Sequence, residues 1–395
     1  MNPGDKSVPG FLSRAGIFAL LSAALALAGC RSSDFPQFAP NYREYAYVTN
    51  GASGTVSVLD VVNVRLDREI PVGPDPVAVA PSPTRDEVYI VVSGAPGGLG
   101  SLVVLDAEKN AISGLIPLHR QPVSVSVDAD GKLAYVANSG SNSVSIIDLS
   151  ARRELAQLGV GEQPAEARLS PDGKSLVVPN RGGDSVTIIS PQTRRVRAIF
   201  EGCSGASDAV ILPDSSKAFV ACSAGHQVMA IALADSKFNP GGPDRLEALM
   251  DVGRAPVQLA LKPDGGELFV SNSLSNTISE VVTTTDDVGG AYLIGDTPAD
   301  GIVSSDNSLL YVANVSSQEV TIYAINDGRR IGGPGIHVGD GPSAMAFSAE
   351  GHLLFVVDSR SGDVAAVRTS TQSLFTMLPA GRGPNAIAVK AFKVP

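Results

Sequence analysis

Along most of the chain, short apolar runs alternate with clusters of small polar residues in a fixed order. The run AYVTN ending at Asn50 is followed by a Gly/Ser turn and then by TVSVLD. The same succession returns as AYVANSGSNSVSIID from Ala134 and as LYVANVSSQEVTIYA from Leu310. Runs of five or six residues rich in Val, Ile, Thr and Tyr, bounded by Gly, Asn and Ser, are the signature of strands joined by tight turns. No stretch of the repeating region carries apolar residues at helical spacing.

A motif returning with its turn chemistry intact marks a repeat architecture. Short strands follow a proline at Pro76, Pro122, Pro164, Pro256, Pro298, Pro342 and Pro384, and an equivalent strand begins at Ala206. Most lead through turns such as SPDG and KPDGG into a second strand that ends in Asn or a substitute: Asn50, Ser93, Asn138, Asn180, Cys222, Asn272, Asn314 and Asp358. A third strand and a fourth follow, the latter leading to VG-x-x-P. Four strands in roughly forty residues make one propeller blade. The longer units carry their extra residues in SGAPGGLG, 93–100, and in SKFNPGGPDRLEA, 236–248, both loop-like in composition.

The ends of the repeating region are complementary fragments. It opens with the second, third and fourth strands of a unit, near Glu44 to Val72, and closes with a lone first strand, Pro384 to Val389. Pairing these in one blade closes a ring and removes exposed sheet edges. The expected fold is therefore all-β, a single propeller over 44–391 with eight four-stranded blades, seven being the alternative, and a tail at 392–395.

The N-terminus follows a different pattern. Lys6 and Arg14 precede the apolar run AGIFALLSAALALA, and LAGC follows at Leu27–Cys30. That run is short for a permanent membrane helix and reads as a signal peptide over 1–29. LAGC resembles the bacterial lipobox, which implies acylation of Cys30. Arg31 after the cysteine favours the outer membrane over the inner, and residues 30–43 would then form a tether to the lipid.

Composition adds limits. With 41 Gly, 27 Pro and 44% apolar residues, the chain can bury a large core. Its formal charge of -10 becomes -11 once residues 1–29 are removed. An acidic surface without a basic stripe argues against nucleic acid as a partner.

The YVTN at Tyr47–Asn50, the YVAN copies at Tyr135 and Tyr311, and the repeated VG-x-x-P and PDG turns resemble the YVTN-repeat β-propellers, which include surface-layer-type and lactonase-like proteins. The resemblance spans nearly all of 44–391 and implies the propeller fold. Its members are commonly seven-bladed, so the eighth copy departs from the pattern.

Chemistry is sparse. The recurring Asn is read as structural, fixing its hairpin through an Asx-type turn. Cys203 and Cys222 lie in one hairpin of an exported protein, which favours a disulfide. Around the channel mouth the loops carry Arg120, Glu162, Arg254, Asp296, Asp340 and Arg382, a rim of mixed sign. One step deeper, two residues after each proline, four neighbouring blades supply Glu166, Asp208, Gln258 and Asp300. These are the candidate channel site. Glu166, Asp208 and Asp300 could hold a divalent cation such as Ca²⁺, or one of them could have a raised pKa suited to a general base. Arg168 lies on the same side of its strand as Glu166 and offers the acids a structural partner instead. His119, His226, His337 and His352 share no spacing, and neither a G-x-S-x-G elbow, a P-loop nor a haem-attachment motif is present. No cofactor is expected. The reading is a monomeric, lipid-anchored envelope propeller that binds an envelope protein, glycan or small ligand through its channel face, with a lactonase-like, metal-assisted hydrolase as the alternative.

Replacing Cys30 by Ser should release the protein from the membrane fraction or leave it unprocessed. Recovery of a membrane-bound variant lacking its first 29 residues, read by fractionation and N-terminal mass spectrometry, would overturn the lipid anchor.

Overall fold

The computed structural model describes Met1, residues 36–234, Ser236 and residues 239–394. Cys30, residues 2–29 of the expected signal peptide and residues 30–35 of the expected tether lie outside these residues. The chain divides into Met1–Ala39 and Pro40–Pro395, and the second unit is an eight-bladed β-propeller of four-stranded antiparallel sheets. Its one helical element among the described residues is the 3₁₀ turn Ser139–Ser141.

Within each blade the four strands have different burial, and the sequence accounts for it. The second and third strands are sandwiched between neighbouring blades on both faces and read as continuous apolar runs, as in LAYVAN and SVSIID, nearly every residue of which is buried. The fourth strands face solvent on their outer side. They alternate and carry charges, as in RLDREIP at Arg65–Pro71 and RELAQLG at Arg153–Gly159. Those charges protect the outermost edge, which pairs with no other described strand. Between blades, Tyr47, Tyr89, Tyr311, Tyr323, Phe219, Phe269 and Phe355 are fully buried and fill the widening wedge.

Blade 1 is the composite one. Tyr42–Asn50, Thr55–Asp60 and Arg65–Pro71 are completed by Pro384–Lys393, with register from Tyr42 opposite Lys393 to Asn50 opposite Pro384. The strand runs past the expected limit of Val389. Tyr42 and Arg43, expected in the tether, and Phe392 and Lys393, expected in the tail, are paired in this ladder. Lys390 Nζ donates to Ser82 O of the next blade at 2.8 Å, and Phe392 is buried against Tyr45. The alternation of Val389, Ala391 and Lys393 with buried Lys390 and Phe392 is weak in apolar content, so the sequence pattern marks the strand only as far as Val389.

Each first strand begins after a residue with left-handed backbone: Asp75, Gln121, Gln163, Gly205, Ala255, Thr297, Gly341 and Gly383. In most blades the register then shifts between the first and third residues, as at Pro76/Ala78 and Pro256/Gln258. Such a bulge re-aims the side chains beyond it. Here it turns the third residue of the strand toward the neighbouring blade.

Deleting residues 390–395 should lower the melting temperature substantially, because Lys390 and Phe392 belong to the closing ladder. Phe392→Ala alone should cost about 3 kcal/mol in denaturant titration, the usual loss for an emptied aromatic site. A truncated protein as stable as the parent would show that the closing ladder ends at Val389.

Candidate functional site

The third residues of the first strands line the channel, and the structure gives five of them one task. Ser124 Oγ accepts the Ala167 N–H at 3.2 Å, and Glu166 Oε1 accepts that of Ala209 at 2.5 Å. Asp208 Oδ2 accepts the Leu259 N–H at 2.7 Å, Gln258 Oε1 that of Gly301 at 2.9 Å, and Asp300 Oδ2 that of Met345 at 2.7 Å. Every acceptor sits one blade ahead of its donor. The donors are edge amides of the first strands, which pair with a second strand on one side and face the channel on the other. A buried N–H left without an acceptor is costly, so a polar side chain from the preceding blade laces each edge.

The expected channel residues are thus brought onto one wall, but their oxygens do not converge. Among the described residues no three His, Cys, Asp or Glu side chains come together as a metal site. Gln258 separates Asp300 from Asp208, and its amide is fully engaged, with Nε2 donating to Leu259 O and Gly301 O. The geometry therefore does not bring Glu166, Asp208 and Asp300 around one cation. Arg168 takes the alternative role that its position offered. Its Nη2 lies 2.8 Å from Glu166 Oε2 and 3.9 Å from Asp208 Oδ1, and its Nε donates to Ala209 O at 3.2 Å. Its side chain is 46% exposed, to the water of the channel that it lines, so this ion pair is screened and adds little stability.

Two of the acids are nevertheless perturbed. Burial, and then the neighbouring Glu166, push the Asp208 carboxyl well above its usual range against the pull of Arg168 and the Leu259 amide. Burial pushes Asp300 up to about 7, opposed only by the amides of Met345 and Gly301. Asp300 makes no ion pair with any described residue.

At the mouth, the rim residues are spread around the circle. Asp340 pairs with Arg360 at 3.4 Å and accepts from Gln318 Nε2. Asp296 accepts from Asn276 Nδ2, and Arg254 donates to Leu274 O. Arg120, at the end of the strand Ala111–Arg120, and Glu162 and Arg382, in loops, are exposed. The rim is a mixed-charge surface with no single cluster.

The recurring Asn proves to be a cross-strand clamp rather than an Asx turn. Asn50 Nδ2 reaches Thr55 Oγ1 and Ser57 Oγ, Asn138 reaches Ser145 Oγ, Asn180 reaches Thr187 Oγ1 and Asn272 reaches Ser279 Oγ, all near 3 Å and buried. The glycine of VG-x-x-P rests on it. A Cβ on Gly161 would lie 2.7 Å from Asn180 Cγ, and one on Gly295 would lie 2.5 Å from Asn314 Cγ. In blade 2 the equivalent of Asn is Val92, opposite Pro76, and not Ser93. In blade 5 the Gly and Asn positions are Cys203 and Cys222, which form the expected disulfide with Cα atoms 4.8 Å apart. Cys203 is therefore fully buried beneath the rim.

The sequence model of the YNCE-like β-propellers matches residues 107–392. The chain belongs to the YNCE-like β-propeller family. No curated protein matches it. Among solved structures it is similar to the hydrazine synthase of Kuenenia stuttgartiensis (21% identity, 70% of this chain and 91% of that one, TM-score 0.55). It is also similar to a putative 6-phosphogluconolactonase from Bacteroides fragilis (16%, 90% and 100%, 0.57) and to the periplasmic gluconolactonase of Pseudomonas aeruginosa (17%, 89% and 100%, 0.58). At these identities the likeness is one of fold.

This YNCE-like chain offers one pH-sensitive clamp. Asp358, fully buried, holds the Asn position of blade 8, opposite Asp363. Burial first, with Asp363 adding to it, raises its carboxyl to about 8. The folded state holds this proton above the unfolded pKa, so its contribution to stability is complete below about pH 4 and is lost as pH rises toward 8. Asp358→Asn should remove that loss. The stability difference between variant and parent should widen from pH 5 to pH 8, by at most ~1.4 kcal/mol per pH unit. A difference constant across that range in denaturant titrations would refute it.

Proposed function

We propose that this YNCE-like propeller is a lipid-anchored cell-envelope protein that binds a partner or small ligand at its channel face and is not a catalyst. The supporting observation is the lacing of the channel. The carboxylates of Glu166, Asp208 and Asp300 each hold an edge amide of the next blade, and Asp300, with Arg168 and Gln258, lines an open cavity of about 400 Å³ that also presents Val210, Leu261, Ile302 and Met345. A concave, mainly apolar site with a few placed polar groups is the usual form of a binding pocket. The signal peptide and LAGC supply the anchoring half of the reading, and the disulfide is consistent with an oxidising compartment.

A second reading rests on Glu166 and Asp208. Two adjacent carboxyls, one of them raised, can share a proton and act as acid and base toward a lactone. Two neighbours of similar fold carry gluconolactonase names.

One comparison separates the readings. Envelope material captured on the parent protein should be lost when Arg254 and Arg382 on the rim are both changed to Glu and retained when Arg65 on an outer strand is changed. A lactone panel should show no turnover above background. Turnover that disappears in Asp208→Asn, with capture indifferent to the rim, would replace binding by hydrolysis.

A further inference from the structure

The channel cavity contains two charges of opposite sign with unequal partners. Asp300 Oδ2 holds the Met345 amide, but the carboxyl has no counter-ion among the described residues. Arg168 is the opposite case. Its Nε and Nη2 are engaged by Ala209 O and Glu166, whereas its Nη1 has no hydrogen bond to any described residue. Both side chains line the same cavity of about 400 Å³, together with Val210, Leu261, Ile302 and Met345. The volume suits an amino acid or a dipeptide and lies low in the range of small-molecule pockets.

The geometry points to a zwitterionic ligand of amino-acid to dipeptide size, its ammonium group on Asp300, its carboxylate on Arg168 Nη1 and its apolar side chains on Val210, Ile302 and Met345. An ammonium would give Asp300 the counter-ion that its blade neighbours do not. A carboxylate would meet a guanidinium whose remaining donors are already fixed by Glu166 and the backbone, so little side-chain freedom is lost on binding. A simple anion would satisfy Arg168 and leave the half-buried Asp300 without a counter-ion. A simple cation would meet the field of Arg168. Only a ligand carrying both charges answers both groups. The opposite wall, where Ala78, Ala344 and Ala386 stand at the lacing position, offers no competing charge. This inference rests on the binding reading given above and names the ligand class of that channel.

The test is calorimetric titration of the full mature chain with leucine and with the dipeptide Leu-Leu, alongside N-acetyl-Leu-Leu and Leu-Leu amide. The free dipeptide should bind, and each blocked form should bind about tenfold or more weakly, since each loses one charged contact. In Asp300→Asn, which keeps an acceptor for the Met345 amide, free and acetylated dipeptides should bind equally while the amide remains disfavoured. Melting curves would establish that the variant is folded. The inference fails if the folded parent binds neither leucine nor Leu-Leu at millimolar concentration, if blocking either end changes nothing, or if Asp300→Asn discriminates as the parent does. Rim-dependent capture of a partner together with such a failure would leave the binding reading standing and remove only this ligand.

Discussion

The inner edge of each blade sets the terms for the rest of the molecule. A first strand pairs with its second strand and turns its other edge toward the channel, where eight rows of N–H and C=O groups would otherwise face one another. Five of the eight blade boundaries answer with a side-chain oxygen from the preceding blade, always at the third residue and always onto the amide of the fourth. The bulge that follows the strand's first residue makes this reach available, because it tilts the third side chain out of its own blade. The polar arc of the channel is thus first a device of assembly. Its chemistry follows from that use: carboxylates held against amides and hydrophobic walls are desolvated, and desolvation is the leading cause of the raised pKa values of Asp208 and Asp300.

A second constraint acts one layer out, where the loop into each blade crosses the end of its second strand. The contact takes several chemical forms in one chain. In four blades a glycine lies directly on a buried Asn, whose amide clamps hydroxyls across the hairpin; any side chain on that glycine would collide with it. In blade 5 the pair becomes Cys203–Cys222, and a covalent bond replaces the packing contact while the backbone path stays the same. In blade 8 the Asn becomes Asp358, isosteric but ionisable, and Asp363 and Ala365 stand at the positions where other blades carry hydroxyl residues. The site therefore tolerates changes of chemistry provided that the shape is kept, which is how a repeat can acquire a redox-sensitive member and a pH-sensitive member without losing its register.

Much of this was legible in the sequence because a repeat displays each position eight times. Strand order, the number of blades, closure by the terminal segments and the disulfide all follow from comparing copies, and four of the residues that lace the channel were found by the same comparison at one position. What the comparison lacked was direction. Nothing in Pro-x-Asp or Pro-x-Glu announces a bulge, so the side chains were read as converging on the channel axis when they reach sideways to the next strand. The Asn was read locally, as a cap for its own turn, because its hydroxyl partners lie across a hairpin at positions where Ser and Thr are also ordinary strand residues. The offset at Ser93 arose from aligning on a polar residue where the backbone aligns on Val92. The last strand was drawn too short because Lys390 faces inward, its stem buried and its ammonium group capped by Ser82 O, a disposition that hydropathy does not register.

The same division explains why fold resemblance carries so little functional weight here. Chains sharing only 15–21% identity with this one reproduce its blades, because what the blade requires is general: apolar middle strands, a tight turn and a closed ring. None of those requirements fixes the third and fifth residues of the first strands beyond the need to quiet an edge amide, and serine, glutamine, aspartate and glutamate all do so in this chain. Selection on a ligand can therefore act through the choice among acceptors at no cost to the fold. The channel of this protein bears the mark of such a choice, since Ser124 and Gln258 show that uncharged acceptors suffice, yet Asp208 and Asp300 are acids where burial disfavours their charge. Lacing alone does not account for the acids. For Glu166 and Asp208 the compensating charge is Arg168, whereas Asp300 has no counter-ion among the described residues and answers its burial with a raised pKa.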